Sequence, residues 1–340
     1  MKTWFVVFIV ALFLLNACGD ALNEEDSTSD SNPMSVADSI EMFTHRISND
    51  SSNYELFRER AKLYLKNGQI DPAFRDVNTA LELEQNDPET YVVLSDVYFI
   101  IGQVKNTTAS LKKAIDLDPK NIQNVVKLAR TYILLGDFNS AQKYLDYALS
   151  LDVDYAEIYY LNAIGKLENG DTAAAITDMK IAGNLDTTFY VSFMHIGNLY
   201  TNLHDHEAID YYRAALTAKP NDEKAMFFIA RLYQEYGEFD QSLEMYEKLI
   251  VAHPGNQNVF YNMGYINLVE LGNLDTAIDA FQTAVTIDPG YADAVYNLGR
   301  AYEEKEMYAE ARLNYRQVLE LRTNYPLAIE ALNRLDELGK

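Results

Sequence analysis

ADAVYNLGRAYEEKEMYAEARLNYRQVLELRTNY, residues 292–325, carries two apolar stripes at helical spacing separated by a short polar break. Val295, Leu298, Gly299 and Tyr302 stand at i, i+3, i+4 and i+7, the spacing of one helical face, and Ala311, Tyr315 and Val318 repeat that logic in a second helix. Lys305, Glu306 and Met307 make the turn between them. Neither helix can bury its apolar face alone, so the pair is half of a core and needs a neighbour of the same kind.

Such neighbours fill the chain upstream. Anchored on one position late in the second helix, the pattern recurs at Ala80, Ala114, Ala148, Ala182, Ala215, Leu249, Ala284 and Val318, in steps of 34, 34, 34, 33, 34, 35 and 34 residues. The short step falls between Tyr200 and Ala208 and the long one between Asn267 and Gly272, both expected as changes of turn length. An aromatic, a Leu, a small residue and a Tyr in the first helix, then Ala, aromatic, Ala and a closing Pro in the second, resemble the tetratricopeptide repeat (TPR). The resemblance implies an all-α fold, a right-handed superhelical α-solenoid of about eight helix pairs, at 54–87, 88–121, 122–155, 156–189, 190–222, 223–256, 257–291 and 292–325.

Each recurring position has a packing reason. The small residues Ala61, Ala129, Ala163, Gly197, Ala230, Gly264 and Gly299 mark where two helix axes approach closely, with Ser95 in the second repeat. Ala73, Ala141, Ala175, Ala208, Ala277 and Ala311 do the same in the second helix, with Thr107 and Ser242 as departures. Pro119, Pro220, Pro254 and Pro289 end second helices, because proline lacks an N–H and disfavours a helical predecessor.

The chain begins differently. After Lys2, an apolar run from Trp4 to Leu15 is too short to span a bilayer but fits the core of a secretory signal. It ends at Leu15-Asn16-Ala17-Cys18, and Cys18 is the only cysteine in the sequence. Leu-x-Ala-Cys resembles the bacterial lipobox, which implies that residues 1–17 are cleaved away and that Cys18 is acylated. An acylated Cys18 leaves no thiol for a disulfide, a metal site or redox chemistry. Residues 18–34 are small, polar and acidic, as in a flexible tether, with a root-mean-square reach of about 20 Å. Asp20, Glu24, Glu25 and Asp26 resemble the surface-export signals of Bacteroidota lipoproteins, and Asp26-Ser27-Thr28 and Asp38-Ser39-Ile40 resemble that group's O-glycosylation sequons, although solvated spacer charge and helix starts read equally well. A bacterial lipoprotein lipid-anchored to the outer membrane, on its periplasmic face or at the cell surface, is the localisation this implies.

Ile40, Phe43 and Ile47 place one apolar face on a capping helix within 35–53, and Ile329 and Leu332 do so within 326–340. The formal net charge of −23 excludes nucleic acid and adhesion to anionic headgroups as default partners, since both need clustered Lys and Arg. Proteins or peptides remain.

In the tetratricopeptide architecture the first helices line a concave groove. Its fifth positions would be Arg58, Val92, Val126, Tyr160, Met194, Phe227, Tyr261 and Tyr296, and its ninth positions Lys62, Asp96, Arg130, Ile164, Asn198, Arg231, Tyr265 and Arg300. In the last three repeats aromatics alternate with Arg231 and Arg300 beside Asn262 and Asn297, a set able to stack an extended peptide, bind its backbone and pair an acidic side chain. The expected protein-binding residues are therefore Tyr160, Asn198, Phe227, Arg231, Tyr261, Asn262, Tyr265, Tyr296, Asn297 and Arg300. Tyr-Asn-Leu-Gly and Tyr-Asn-Met-Gly also match the family's own consensus, so these residues read equally as inherited packing. The carboxylate clamp of chaperone-binding relatives is not reproduced, because the corresponding pairs are Met194 with Asn198 and Lys224 with Phe228.

Catalysis has little support. His45, His195, His204, His206 and His253 are scattered, and the His204/His206 pair reads as a solvated turn rather than a metal site. No phosphate-binding loop, calcium loop, partnered nucleophile or cofactor motif is present. Three roles remain: a lipid-anchored envelope scaffold or adaptor, as in the tetratricopeptide lipoproteins of outer-membrane insertion, pilus assembly and secretion; a surface nutrient- or ligand-binding lipoprotein, weakened by the lack of long insertions; and a non-catalytic regulatory subunit of a cell-wall enzyme.

Overall fold

The structure, a computed structural model, describes residues 34–340. Cys18, the 1–17 segment and the 18–34 tether apart from its last residue lie outside the described residues. Every regular element among the described residues is helical. The chain forms two compact units, one ending at Ser192 and the other spanning Phe193–Lys340.

In the first unit α1 (Val36–Asn49) precedes the pairs α2 (Tyr54–Lys66) and α3 (Ile70–Leu83), α4 (Pro88–Ile100) and α5 (Val104–Leu117), α6 (Ile122–Leu134) and α7 (Phe138–Leu151), and α8 (Ala156–Glu168) and α9 (Thr172–Leu185). The helix α10 (Tyr190–Asn202) crosses the boundary. In the second unit follow α11 (Ala208–Ala218), α12 (Glu223–Glu235), α13 (Phe239–Ala252), α14 (Gln257–Tyr265), α15 (Leu274–Ile287), α16 (Ala292–Glu304), α17 (Tyr308–Leu321) and α18 (Pro326–Glu337). Within each unit the members of a pair pack on one another, and each second helix packs on the next first helix.

Local chemistry sets the helix ends. Asn53, Asp87, Asn121, Asp222 and Asn256 cap first helices, each side chain accepting a backbone N–H two or three residues on. The inter-helix turn needs a left-handed residue, which is glycine at Gly68, Gly102, Gly136, Gly170, Gly237 and Gly272, with φ between 68° and 80°. Two repeats place a side chain there instead, His204 at φ 54° and Glu306 at φ 63°. Glu306 is exposed, and a side chain in this region is strained by about 1 kcal/mol. Glu306→Gly is therefore expected to raise stability by about 0.5 to 1 kcal/mol net of the added freedom of the unfolded chain, read as a higher urea midpoint at unchanged slope. A lower midpoint would show that the side chain stabilises the turn.

The two changes of repeat length are not where turn-length variation would put them. The extra residue of the seventh repeat is taken up inside the helix, as a π-helical extension of α14 at Ile266–Glu270. Leu271 N–H reaches back five residues to Ile266 O at 3.1 Å, and the buried Asn267 closes the end by donating to Met263 O and accepting from Asn273. Gly272 then occupies the same turn position as its counterparts. The residue missing from the fifth repeat is taken from the start of the second helix. There Ala208, Ile209 and Asp210 each bond back three residues, a tightened first turn that shortens α11.

The core is a row of wedges. In the second unit a Cβ built on Gly197, Gly264 or Gly299 would come within 2.7 to 2.8 Å of the rings of Tyr212, Phe281 and Tyr315, all three fully buried. Where the first helix carries Ala61, Ala129 or Ala163, the equivalent second-helix residue is Val77, Leu145 or Met179. Small-with-large pairing thus keeps the helix separation; Ala230 beside Tyr246 is the one departure.

Candidate protein-binding surface

In the first unit the expected groove positions are spent on joining repeats. Arg58 bonds Asp87 at 2.8 Å and Glu89 at 3.2 Å, Lys127 bonds Asp96, and Arg130 bonds Glu157. Burial raises the Asp87 carboxyl, but hydrogen bonds from Thr90 and Arg58 outweigh it and hold the group below its usual range. Tyr160 is a correction. It is 2% exposed and packs edge-to-face on Phe189 at 5.3 Å, so its ring belongs to the core and its phenol is pushed far up by burial. Met194, also placed in the groove by its spacing, is fully buried as well.

The second unit brings the remaining residues into a connected set. Tyr261 packs on Tyr291 at 5.1 Å with the rings tilted by 32°, and Tyr296 on Tyr325 at 5.3 Å with a tilt of 41°. Each fifth-position ring therefore meets the aromatic that immediately precedes the next first helix. The far edges are held by Phe281 at 5.9 Å and Tyr315 at 5.7 Å. Asn297 is 5% exposed, a second departure from the expected surface. Its amide donates to Tyr261 Oη at 3.2 Å and to Asp293 O at 2.9 Å, and its oxygen accepts from Arg300 at 2.9 Å. Tyr325 donates to the Asp293 carboxylate at 2.8 Å. Burial raises the Tyr261 phenol and pushes Tyr291 up to about 12, so both stay neutral to more alkaline pH than an exposed tyrosine.

Asn262 and Asn198 are likewise bonded. Asn262 donates to Tyr246 Oη at 2.9 Å, and Asn198 accepts from Tyr212 Oη at 2.7 Å. Phe227 packs edge-to-face on Tyr246 at 6.1 Å, and Tyr265 lies half-buried against the cluster of Leu268, Phe281 and Leu298. What stays available is charge and aromatic edge. The Arg231 and Arg300 side chains are 41% and 33% exposed, steered by Glu235 at 3.2 Å and Glu304 at 3.9 Å. Among the described residues no group of three or more His, Cys, Asp or Glu side chains could hold a metal ion, and no helix is long and apolar enough to cross a membrane.

Sequence reasoning missed Tyr291, Tyr325 and Asp293, which organise this set. The signal existed: an aromatic precedes the first helix at Tyr155, Phe189, Tyr291 and Tyr325, but its partner five positions into the previous first helix becomes visible only in three dimensions.

Helix pairs repeated at this period, with a first-helix row of half-buried aromatics and arginines, define a helical repeat protein. Family models of the tetratricopeptide repeat match residues 101–167 and 206–261, residues 267–306 and residues 292–325. The chain is a tetratricopeptide-repeat protein over those segments. No curated protein matches the sequence. Among solved structures, the C-terminal part of a TPR repeat-containing protein from Cytophaga hutchinsonii matches at 17% identity and TM-score 0.56, covering 71% of this chain and 99% of that one. YrrB, described as a TPR protein with an unusual peptide-binding site, matches at 21% identity and TM-score 0.48, over 56% of this chain and 97% of its own. MamA matches at 23% and 0.41, over 55% and 97%. At 17% identity the Cytophaga hutchinsonii structure carries the fold alone.

Proposed function

We propose that this protein is a lipid-anchored, non-catalytic scaffold of the bacterial cell envelope, held to the outer membrane through acylated Cys18, that binds protein partners during assembly of an outer-membrane or secretion complex. The observation that carries the binding role is the row of Phe227, Arg231, Tyr265 and Arg300 in the second unit, where charged and aromatic groups stay partly accessible beside the hydrogen-bonded Asn198, Asn262 and Asn297. An extended peptide bearing a carboxylate suits that row: arginine supplies charge-assisted bonds and the rings supply stacking area. The lipid anchor rests on the Leu-x-Ala-Cys signal alone.

A photoreactive residue at Tyr265, with a second probe at Lys248, whose side chain is 58% exposed on α13, tests the binding surface in cells. The expected result is one defined envelope protein captured from Tyr265 and none from Lys248. Arg231→Ala and Arg300→Ala should each weaken the purified interaction about tenfold or more with an unchanged helical circular dichroism signal. Capture from Lys248 alone, or binding indifferent to both arginines, overturns the assignment. Fatty-acid labelling that survives Cys18→Ser overturns the anchor.

A further inference from the structure

We infer that the first unit rests on the lipid surface through the edge formed by the inter-helix turns of its first three repeats. The inference rests on the anchoring reading above and adds an orientation and a contact.

The path of α1 supplies the geometry. A four-residue connection joins it to α2, and the two helices pack, with Thr44 near the middle of α1 accepting from Arg60 near the middle of α2 at 3.0 Å. The pair is therefore antiparallel. The start of α1 lies beside the end of α2, at the Gly68 turn, and so at the same edge as the Gly102 and Gly136 turns of the pairs packed next to it. The segment from Cys18 thus joins the fold at the turn edge, where Met34 is 54% exposed. Residues 18–34 reach at most about 55 Å fully extended and about 20 Å as a coil. An anchored Cys18 keeps this edge close to the bilayer and leaves the opposite edge further away.

The second and third of these turns are apolar. Ile100, Ile101, Val104 and Leu135 are 52%, 44%, 42% and 38% exposed, branched aliphatic side chains on adjacent turns. Over equal spans, turns 66–71, 100–105 and 134–139 carry Lys66, Asp71, Lys105 and Asp137, and Asp38 opens α1 at the same edge, so the edge is nearly neutral in a chain of net charge −23. The corresponding turns of the fourth and sixth repeats carry Glu168 with Asp171 and Glu235 with Glu238. Near-neutral, aliphatic and lysine-flanked chemistry fits a zwitterionic lipid interface, where apolar groups enter the acyl boundary and lysine ammoniums stay at the headgroups. Tethering raises the local concentration of that surface, so weak contact suffices.

Tryptophan reporters test this directly, because Trp4 is the only tryptophan and a chain beginning at Cys18 has none. Its single thiol, Cys18, is coupled to a maleimide phospholipid in phosphatidylcholine vesicles containing brominated acyl chains. Ile101→Trp reports the turn edge. Val153→Trp, at a 60% exposed site in the loop at the other end of the helix pairs, reports the opposite edge. The expected result is a blue shift and quenching of the Ile101→Trp emission, no change at Val153→Trp, and loss of the quenching when Ile100→Ser and Val104→Ser are added with helicity retained. Equal quenching of both reporters, or quenching of neither, overturns the inference. Self-association without vesicles that depends on Ile101 assigns the patch to a second copy and also overturns it. Chemical coupling makes the outcome independent of acylation in cells, which the Cys18→Ser labelling reads separately.

Discussion

Phe281→Ala is expected to lower the unfolding free energy of the second unit by about 3 to 5 kcal/mol. The ring is fully buried among Leu268, Ala277, Ile278, Leu298 and Ala301, and it fills the space that Gly264 leaves by having no side chain. Truncation loses the ring's transfer free energy and opens a cavity that neighbours cannot refill, since the facing helix offers only backbone at Gly264. Tyr261, 5.9 Å away and part of the candidate binding surface, would lose the wall that holds its ring. Urea unfolding followed by circular dichroism gives the magnitude, and hydrogen exchange should place the loss in α14, α15 and α16. A cost below about 1 kcal/mol would mean that the ring is not the wedge that spaces these helices.

Gly299→Ala tests the same design from the other side. The added Cβ would lie 2.8 Å from the Tyr315 ring, which cannot simply swing away. Its hydroxyl donates to Glu303 at 2.6 Å, and Glu303 accepts two 2.8 Å bonds from Arg334 of α18. The substitution should cost about 1 to 3 kcal/mol by overpacking. Tyr315→Leu, itself destabilising, should cost less in the Gly299→Ala background, because it restores the alanine-with-aliphatic pairing seen at Ala129 and Leu145. Additive costs in a double-mutant cycle would show that the two positions do not compete for the same space.

The difference between the two units bears on function. In the first unit long-range ion pairs such as Arg58 with Asp87 and Arg130 with Glu157 consume the first-helix charges between repeats. In the second unit the long-range ion pairs, such as Lys305 with Asp275 and Arg334 with Glu303, involve other residues, and the acids paired with Arg231 and Arg300 stand four residues along their own helices, Arg300 also donating to Asn297. Intrahelical pairs of that kind are weak and open easily, so the proposed capture of a ligand carboxylate would break little at either arginine.

The sequence by itself determined the repeat and its local punctuation. The recurring small residues, the asparagine and aspartate caps, the glycines at the turns and the prolines after the second helices are short-range signals, each acting through the few residues around it. Tertiary structure decided the rest. Spacing placed Tyr160 and Asn297 on a surface, yet Phe189 covers the first and the bonds to Tyr261 and Arg300 enclose the second, because a side chain's exposure depends on what the next repeat lays against it. Spacing also revealed one residue gained and one lost, but not where. A helix can absorb an extra residue as one wider turn, as at Ile266–Glu270, or drop one by tightening its first turn, as at Ala208, at less cost than shifting the packed residues on either side.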